Sequence, residues 1–253
     1  MGVAIDEHIM GVSNIAASNP RTWILNAVSR MVCYLKIYDR DIRNLLYKYF
    51  LTRKTFTNTP TVVINELDVC ANSSRIDIAV VNGQLHGYEI KSKQDTLERL
   101  SGQIEAYNKT FDTITIVGFE NHIPRIMKMV PNWWGIKNVT EFKGRIRLRT
   151  IRKEKKNQTI DLKSIVRLLW KDEMIKLLTS QDNLTHGYQR KSRQQLSDII
   201  VKEVNEDIIG QYIRDTLKTR EAWKAVPVQQ LNDGYNSMQP NSYYSRCHYC
   251  LEP

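Results

Sequence analysis

The segment RIDIAVVNGQLHGYEIKSKQDTLERLSGQIEAY, residues 75–107, contains a change from strand-type to helix-type periodicity. Its first half has two short β-type runs, 76–81 and 85–91, and the Asn82-Gly83 pair between them is typical of a β-hairpin. In the second half apolar residues recur at intervals of three and four, which predicts a buried helix face: Leu97, Leu100, Ile104, Tyr107 and Phe111. This stretch therefore predicts a hairpin followed by a helix.

Similar patterns continue on both sides of this segment. Asp95 and Glu98 have capping-box spacing and predict the start of the central helix, and Asn19-Pro20 predicts the start of an early one. Further strands are expected at 62–64, 113–117 and 144–151, and further helices at 39–51, 123–130, 162–178 and 192–219, with no strand after about residue 152. We expect an α/β protein with a mixed β-sheet core flanked by helices and a helical C-terminal part. Its divisions are an N-terminal helical segment at 1–54, the core at 55–156, a helical region at 157–226 and a flexible tail at 227–253.

The composition is that of an ordinary globular protein with an excess of basic residues. The chain has 253 residues, of which 42% are hydrophobic, and 37 Lys and Arg against 27 Asp and Glu give a net charge of +10. That excess suits nucleic acid or an anionic membrane surface. Four cysteines exclude a disulfide scaffold and fit a reducing cytoplasm. No run approaches the roughly 20 apolar residues of a membrane span, and the first fifteen residues lack a signal-peptide pattern. We expect a cytoplasmic protein with no membrane partner.

The register of the hairpin decides which charged residues lie together. Glu89 and Lys91 are two positions apart on one strand, so their side chains share a face. A two-residue turn would pair Asp77 with Tyr88 and separate Asp77 from Glu89. A three-residue loop that ends in a left-handed Gly83 shifts the register by one and places the two carboxylates together. We expect the three-residue loop.

Two carboxylates beside an ammonium group can serve phosphoryl transfer. Asp77 and Glu89 offer oxygen ligands to one or two Mg²⁺ ions, and such ions polarise a phosphoryl oxygen and lower the pKa of bound water. Lys91 could orient that water or neutralise charge on the phosphate. Glu66, in the preceding strand-type run, could add a third carboxylate. Taken alone, Glu89 and Lys91 are better explained as a solvated strand face than as a catalytic pair.

The full pattern resembles a known nuclease superfamily. Asp77, eleven intervening residues, then Glu89-x-Lys91 across a hairpin resembles the PD-(D/E)XK superfamily, and Gln103 with Tyr107 on the next helix is similar to the Q-x3-Y motif of its RecB-like branch. The run from 75 to 107 looks closest to an uncharacterised bacterial branch of that superfamily. The resemblance covers roughly residues 60–150.

The resemblance implies a fold, an activity and a set of roles. It implies a restriction-endonuclease-like core over 55–156 and a deoxyribonuclease that requires Mg²⁺ or Mn²⁺. Ile76 departs from the proline that many members have at that position. The implied roles are metal ligation by Asp77 and Glu89, catalysis by Lys91, an upstream acid at Glu66, and contact with DNA near the metal by Gln103 and Tyr107.

A basic segment follows the core. Between Lys143 and Lys156 there are eight Lys and Arg residues and one acid, Glu154, so most of the excess charge is local. Arg145, Arg147 and Arg149 alternate with apolar residues and would form one basic strand face. Such a face can bind the phosphates of DNA in a salt-sensitive way, or it can protect the edge of a sheet from aggregation.

Several interpretations remain open at this stage. Cys247 and Cys250 have the spacing of half a zinc site, but a second pair with that spacing is missing, so a tail without metal is preferred. Besides a nuclease, the chain could be a catalytically silent or partner-regulated nucleic-acid-binding subunit, or a toxin or defence nuclease held by a regulatory or immunity protein. Endonuclease or exonuclease action, DNA or RNA as substrate, and the oligomeric state, a dimer included, are left open.

Overall fold

A computed structural model describes residues 37–57, 60–142, 145–181 and 187–220 and the backbone of 225–227. The predicted helix at Asn19-Pro20 lies outside these residues, as do Cys247, Cys250 and the tail after residue 227. Within the described residues no helix is long and apolar enough to cross a membrane.

Helices and strands follow the order that the periodicity predicts for most of the chain. The elements are α1 (Asp39–Leu51), α2 (Lys54–Thr57), β1 (Val62–Val69), β2 (Ser74–Val81), β3 (Leu85–Lys91), α3 (Leu100–Asn108), β4 (Thr113–Phe119), α4 (Ile123–Met129), β5 (Gly135–Phe142), β6 (Arg145–Arg152), α5 (Leu162–Val166), α6 (Lys171–Thr179), a 3-10 turn (Tyr188–Arg190), α7 (Arg193–Glu203), α8 (Glu206–Thr219) and β7 (Ala225–Pro227).

One mixed sheet organises the described residues. Its seven strands have the order β6-β5-β4-β3-β2-β1-β7. β3 pairs in parallel with β4 and β4 in parallel with β5, whereas the other neighbours are antiparallel. β4 is buried along its whole length, as expected for a central strand with both faces covered. The expected α/β class is confirmed: a mixed sheet flanked by helices, with a helical C-terminal part.

A helix packs on each face of the sheet through its apolar residues. α1 packs on one face through Ile42, Leu46 and Phe50, which are spaced by four residues and fully buried. α3 packs on the other face through Leu100 and Tyr107. α3 also connects β3 to the parallel strand β4, which requires a crossover of this kind. α1 and α3 thus pack in two separate core clusters, one on each face of the sheet.

Three local expectations were wrong. The central helix begins at Leu100, not near Asp95, because the Asp95 carboxylate accepts the Ser92 N–H at 2.6 Å and closes a turn after β3. The helix expected at 162–178 is two helices, and Glu173 begins the second by accepting the Trp170 N–H at 2.6 Å. A strand follows residue 152 after all, since β7 pairs with β1.

We expect Gly87→Ala to destabilise the fold, because β3 passes directly beneath two apolar side chains. A Cβ at residue 87 would lie 2.5 Å from Ile76 Cδ1 and 3.1 Å from Phe111 Cγ. Overpacking of this kind lowers the free energy of unfolding by about 1–3 kcal/mol, which urea denaturation would measure. Gly83→Ala is the control, since no atom lies within 4 Å of the added Cβ. Equal stability of the two variants would contradict the prediction.

Candidate active site

The β2–β3 hairpin has the register that brings Asp77 opposite Glu89. Val81 pairs with Leu85, which leaves a three-residue loop, and the ladder reaches Ile78 and Tyr88, the residues next to the two carboxylates. The three-residue prediction is confirmed. Its conformational reason was wrong, because Gly83 does not have a positive φ. The loop is closed instead by Asn82, whose Oδ1 accepts the Gln84 N–H at 2.9 Å.

Four of the predicted residues form one hydrogen-bonded cluster between β3 and α3. Glu89 Oε1 accepts from Lys91 Nζ at 2.7 Å and from Gln103 Nε2 at 2.7 Å. Lys91 Nζ also donates to Gln103 Oε1 at 2.9 Å. Tyr107, one helical turn after Gln103, places its hydroxyl 2.8 Å from Glu89 Oε2. The pair two positions apart on β3, Glu89 and Lys91, therefore contacts the pair four positions apart on α3.

The cluster is buried, so the solvated-face interpretation of the strand is wrong. Glu89 is 2% exposed and Lys91 is 6% exposed. Burying an unpaired charge is costly, and these two charges are paired and hydrogen-bonded. Burial raises the pKa of Tyr107, and the Glu89 charge raises it further, so the hydroxyl keeps its proton. The Tyr107 hydroxyl can donate its hydrogen bond either to Glu89 or to the Arg75 carbonyl oxygen, which lies 2.6 Å away.

Asp77 lies beside this cluster, where β2 separates from β3. The backbone pairing of β2 with β3 ends at Ile78. Beyond it the Asp77 side chain replaces a backbone acceptor, because its Oδ2 accepts the Ile90 N–H at 2.6 Å. Burial raises the pKa of Asp77 to about 7, and the negative charge of Glu89 acts in the same direction. The Ile90 amide and the guanidinium of Arg43 oppose that rise. The site therefore holds two carboxylates whose charges disfavour each other.

Arg43 on α1 is a site residue that the sequence interpretation missed. Its Nη1 donates to the Asp77 carbonyl oxygen at 2.7 Å and its Nη2 to Asp77 Oδ1 at 3.0 Å. Nε contacts Asp39 Oδ2 at 2.5 Å, and Nη2 lies 3.4 Å from Glu66 Oε1. The available signal was weak: Arg43 follows Ile42, at the border of the buried face of a predicted helix.

Glu66 lies across from Asp77 and contacts Arg43. It falls between Asn65 and Leu67, which pair with Ile78 and Ile76. Its φ of 58° is left-handed, a conformation that costs a non-glycine residue roughly 1–2 kcal/mol. Strain of that size tends to occur at functional sites. The second cation near Glu66 is Arg75, at 3.6 Å.

The carboxylates fit a hydrated divalent cation better than a closed metal cage. Among the described residues there is no group of three or more His, Cys, Asp and Glu side chains placed to hold a metal. Mg²⁺ needs fewer protein ligands, because it keeps several waters and binds through one or two carboxylates. Asp77 and Glu89 supply that donor chemistry. The guanidinium of Arg43 already contacts the Asp77 carboxylate, which indicates that this position favours a cation.

The basic strand β6 lies at the sheet edge and shares a face with Lys91. Arg145, Arg147 and Arg149 are all exposed along β6. The registers place Lys91 opposite Gly118, Gly118 opposite Asn138, and Asn138 opposite Arg149. Side chains in such a row point to one face, and three strand spacings amount to about 14 Å. The arginines are therefore near the cluster but do not contact it.

The fold and the cluster together define an α/β protein with a buried Glu-Lys-Gln-Tyr site on a mixed sheet. The family model described as bacteriophage P4 protein cII matches residues 35–233. The chain belongs to this family. Protein cII of Enterobacteria phage P4 is 26% identical over 182 residues, which cover 72% of this chain and 67% of the relative. A solved structure of a protein of unknown function from Silicibacter pomeroyi covers 56% of this chain and 92% of its own, with 15% identity and a TM-score of 0.33. That likeness is too low to support an inference.

The buried pair predicts that removing one charge costs more stability than removing both. Lys91→Met leaves Glu89 buried without its ammonium, and we expect the free energy of unfolding to fall by about 3–5 kcal/mol. The double variant Glu89→Gln/Lys91→Met keeps amide contacts to Gln103 and Tyr107 and should lose clearly less. Urea denaturation measures both, with exposed Lys176→Met as the control within about 0.5 kcal/mol. Strictly additive losses would contradict the buried pairing.

Proposed function

We propose that this protein is a metal-dependent nuclease that hydrolyses DNA phosphodiester bonds at Asp77, Glu89 and Lys91. The observation that carries the proposal is the buried Lys91 ammonium, which is held by Glu89 and Gln103 beside a second carboxylate, Asp77. A buried ion pair is weak evidence for stability alone. This pair lies next to a second acid, Asp77, in a sheet whose edge strand β6 is basic. Phosphoryl transfer requires such a combination of acids and cations. The resemblance to the PD-(D/E)XK superfamily supports the same assignment.

Each residue of the site has a role in this proposal. Asp77 and Glu89 would hold Mg²⁺ or Mn²⁺. Such an ion lowers the pKa of bound water and polarises a phosphoryl oxygen. Lys91 Nζ has three donor protons, of which two are engaged by Glu89 and Gln103, so one remains for the attacking water or a phosphate oxygen. Gln103 and Tyr107 orient Glu89, since their side chains contact its two oxygens.

The β6 arginines would bind the backbone of the substrate. Phosphate contacts from Arg145, Arg147 and Arg149 position a nucleic acid without reading its sequence. We place the activity in the cytoplasm, where four cysteines in a chain of this size are expected to stay reduced. Glu66 is part of the proposal through Arg43, which it shares with Asp77.

A catalytically silent nucleic-acid-binding protein is the second candidate, and one observation favours it. Both oxygens of Asp77 and both oxygens of Glu89 already have donors from the protein. A metal could bind only if some of these donors move or share their acceptor. A silent protein would keep the β6 surface and would not cleave.

Cleavage by the purified protein decides between the two candidates. We expect the wild type to degrade DNA with Mg²⁺ or Mn²⁺ and not with EDTA, when linear, circular and single-stranded DNA and RNA are incubated side by side. Glu89→Gln/Lys91→Met should reduce the rate at least 10²-fold, as expected when groups that act on the transition state are lost. Lys176→Met, prepared in parallel, should keep full activity. Binding without cleavage supports the silent candidate, and full activity of the double variant would overturn the site.

Substitution of the β6 arginines should weaken nucleic-acid binding and its salt dependence. For Arg147→Gln/Arg149→Gln we expect the slope of log K against log salt to become shallower by about 2, because two phosphate contacts are lost. Fluorescence anisotropy over a range of salt concentrations measures this slope. The charge-matched control is Lys176→Gln/Lys202→Gln, on exposed positions of α6 and α7. An unchanged slope in the β6 variant would assign the arginines to edge protection instead.

A further inference from the structure

Arg43 contacts Asp77 Oδ1 at 3.0 Å, and that carboxylate is a proposed ligand of the divalent cation. We propose that Arg43 is a positioning residue and an internal counter-ion of Asp77, and that a divalent cation must displace its guanidinium to bind. Helix α1 would then set the cation concentration at which the site fills. This inference rests on the metal site of the proposed function and adds the residue that regulates its loading.

The contacts of Arg43 are those of a cation held by several acids. One guanidinium contacts Asp39, Glu66 and Asp77, and it also binds the Asp77 carbonyl oxygen. The Arg43 charge is thus shared among three carboxylates, of which Glu66 also lies near Arg75. A divalent cation neutralises such a cluster more completely than one guanidinium does, so the two compete for the same oxygen atoms.

The geometry allows the guanidinium to leave without unfolding the helix. α1 is anchored by Ile42, Leu46 and Phe50, which are fully buried and independent of Arg43. The Arg43 side chain is 15% exposed and the Asp77 side chain 25% exposed, so a path to solvent exists at this side of the site. Displacement requires rotation of one side chain, whereas the backbone that carries it stays packed.

The two carboxylates therefore differ in how their cations can be exchanged. Lys91 and Glu89 have side-chain exposures of 8% and 3%, and Gln103 and Tyr107 complete their contacts. Arg43 and Asp77 lie at the more open side. We expect a cation to enter at Asp77 and to leave the Lys91 pair in place.

Titration calorimetry with Mn²⁺ on the full chain tests the competition. We expect Arg43→Gln to bind Mn²⁺ about tenfold more tightly than the wild type, because one competing charge is removed. Arg40→Gln is the matched control: it removes the same charge from an exposed position of the same helix and should stay within twofold. Asp77→Asn should lose binding in either background.

The outcomes separate this inference from the proposed function. Unchanged or weaker binding by Arg43→Gln, together with loss in Asp77→Asn, would overturn the role of Arg43 and retain the metal site. Undetectable binding by both the wild type and Arg43→Gln, or unchanged binding by Asp77→Asn, would overturn the metal site and with it the inference. Binding by Arg43→Gln alone would support the inference in its strongest form.

A measurement on the wild type removes any dependence on the folding of the variant. The Nε–H resonance of Arg43, assigned with Arg43→Lys, would be followed by NMR during a Mg²⁺ titration. We expect its chemical shift to move and its exchange with water to quicken as the guanidinium leaves Asp39 and Asp77. A resonance that stays unchanged while Mg²⁺ saturates the site would overturn the displacement.

Discussion

The burial of Glu89 with Lys91 is the constraint on which the arrangement of the site depends. An ion pair removed from water is tolerated only when its remaining donors and acceptors are satisfied. Gln103 and Tyr107 meet that demand, and both come from α3, so the helix has to lie at a fixed position over β3. The close packing of Phe111 and Ile76 above Gly87 follows from the same placement. One electrostatic requirement thus fixes how a helix is seated on the sheet.

Patterns that depend on neighbouring residues could be predicted from the sequence. The bounds of α1 and β3 could be predicted, because α1 has one regular buried face and β3 is a short β-type run that follows a turn. The register of the hairpin followed from the need to bring Asp77 and Glu89 together, and its three-residue loop is what the structure has. The Gln103–Tyr107 pair could be placed because a spacing of four always lies on one helix face.

Features that arise from tertiary contacts could not be predicted. Nothing near Arg43 in the sequence indicates that it reaches Asp77, since β2 lies more than thirty positions away. Asp95 has the spacing of a helix cap, but the chain leaving β3 must first turn, and that turn uses the carboxylate. The left-handed backbone at Glu66 opposes the strand preference of its neighbours. In each case a long-range contact overrides a local preference.

The two carboxylates of the site differ in their cations and in their exposure, a difference that the sequence pattern does not show. Glu89 has a largely buried cation, Lys91, on the α3 side of the sheet. Asp77 has a cation from the opposite helix, α1, at a position that remains partly open. Because the two carboxylates disfavour each other's charge, a change in the cation at Asp77 must alter the electrostatic balance at Glu89. Under the proposed displacement of Arg43, the sheet couples a rigid half of the site, next to α3, to an exchangeable half, next to α1.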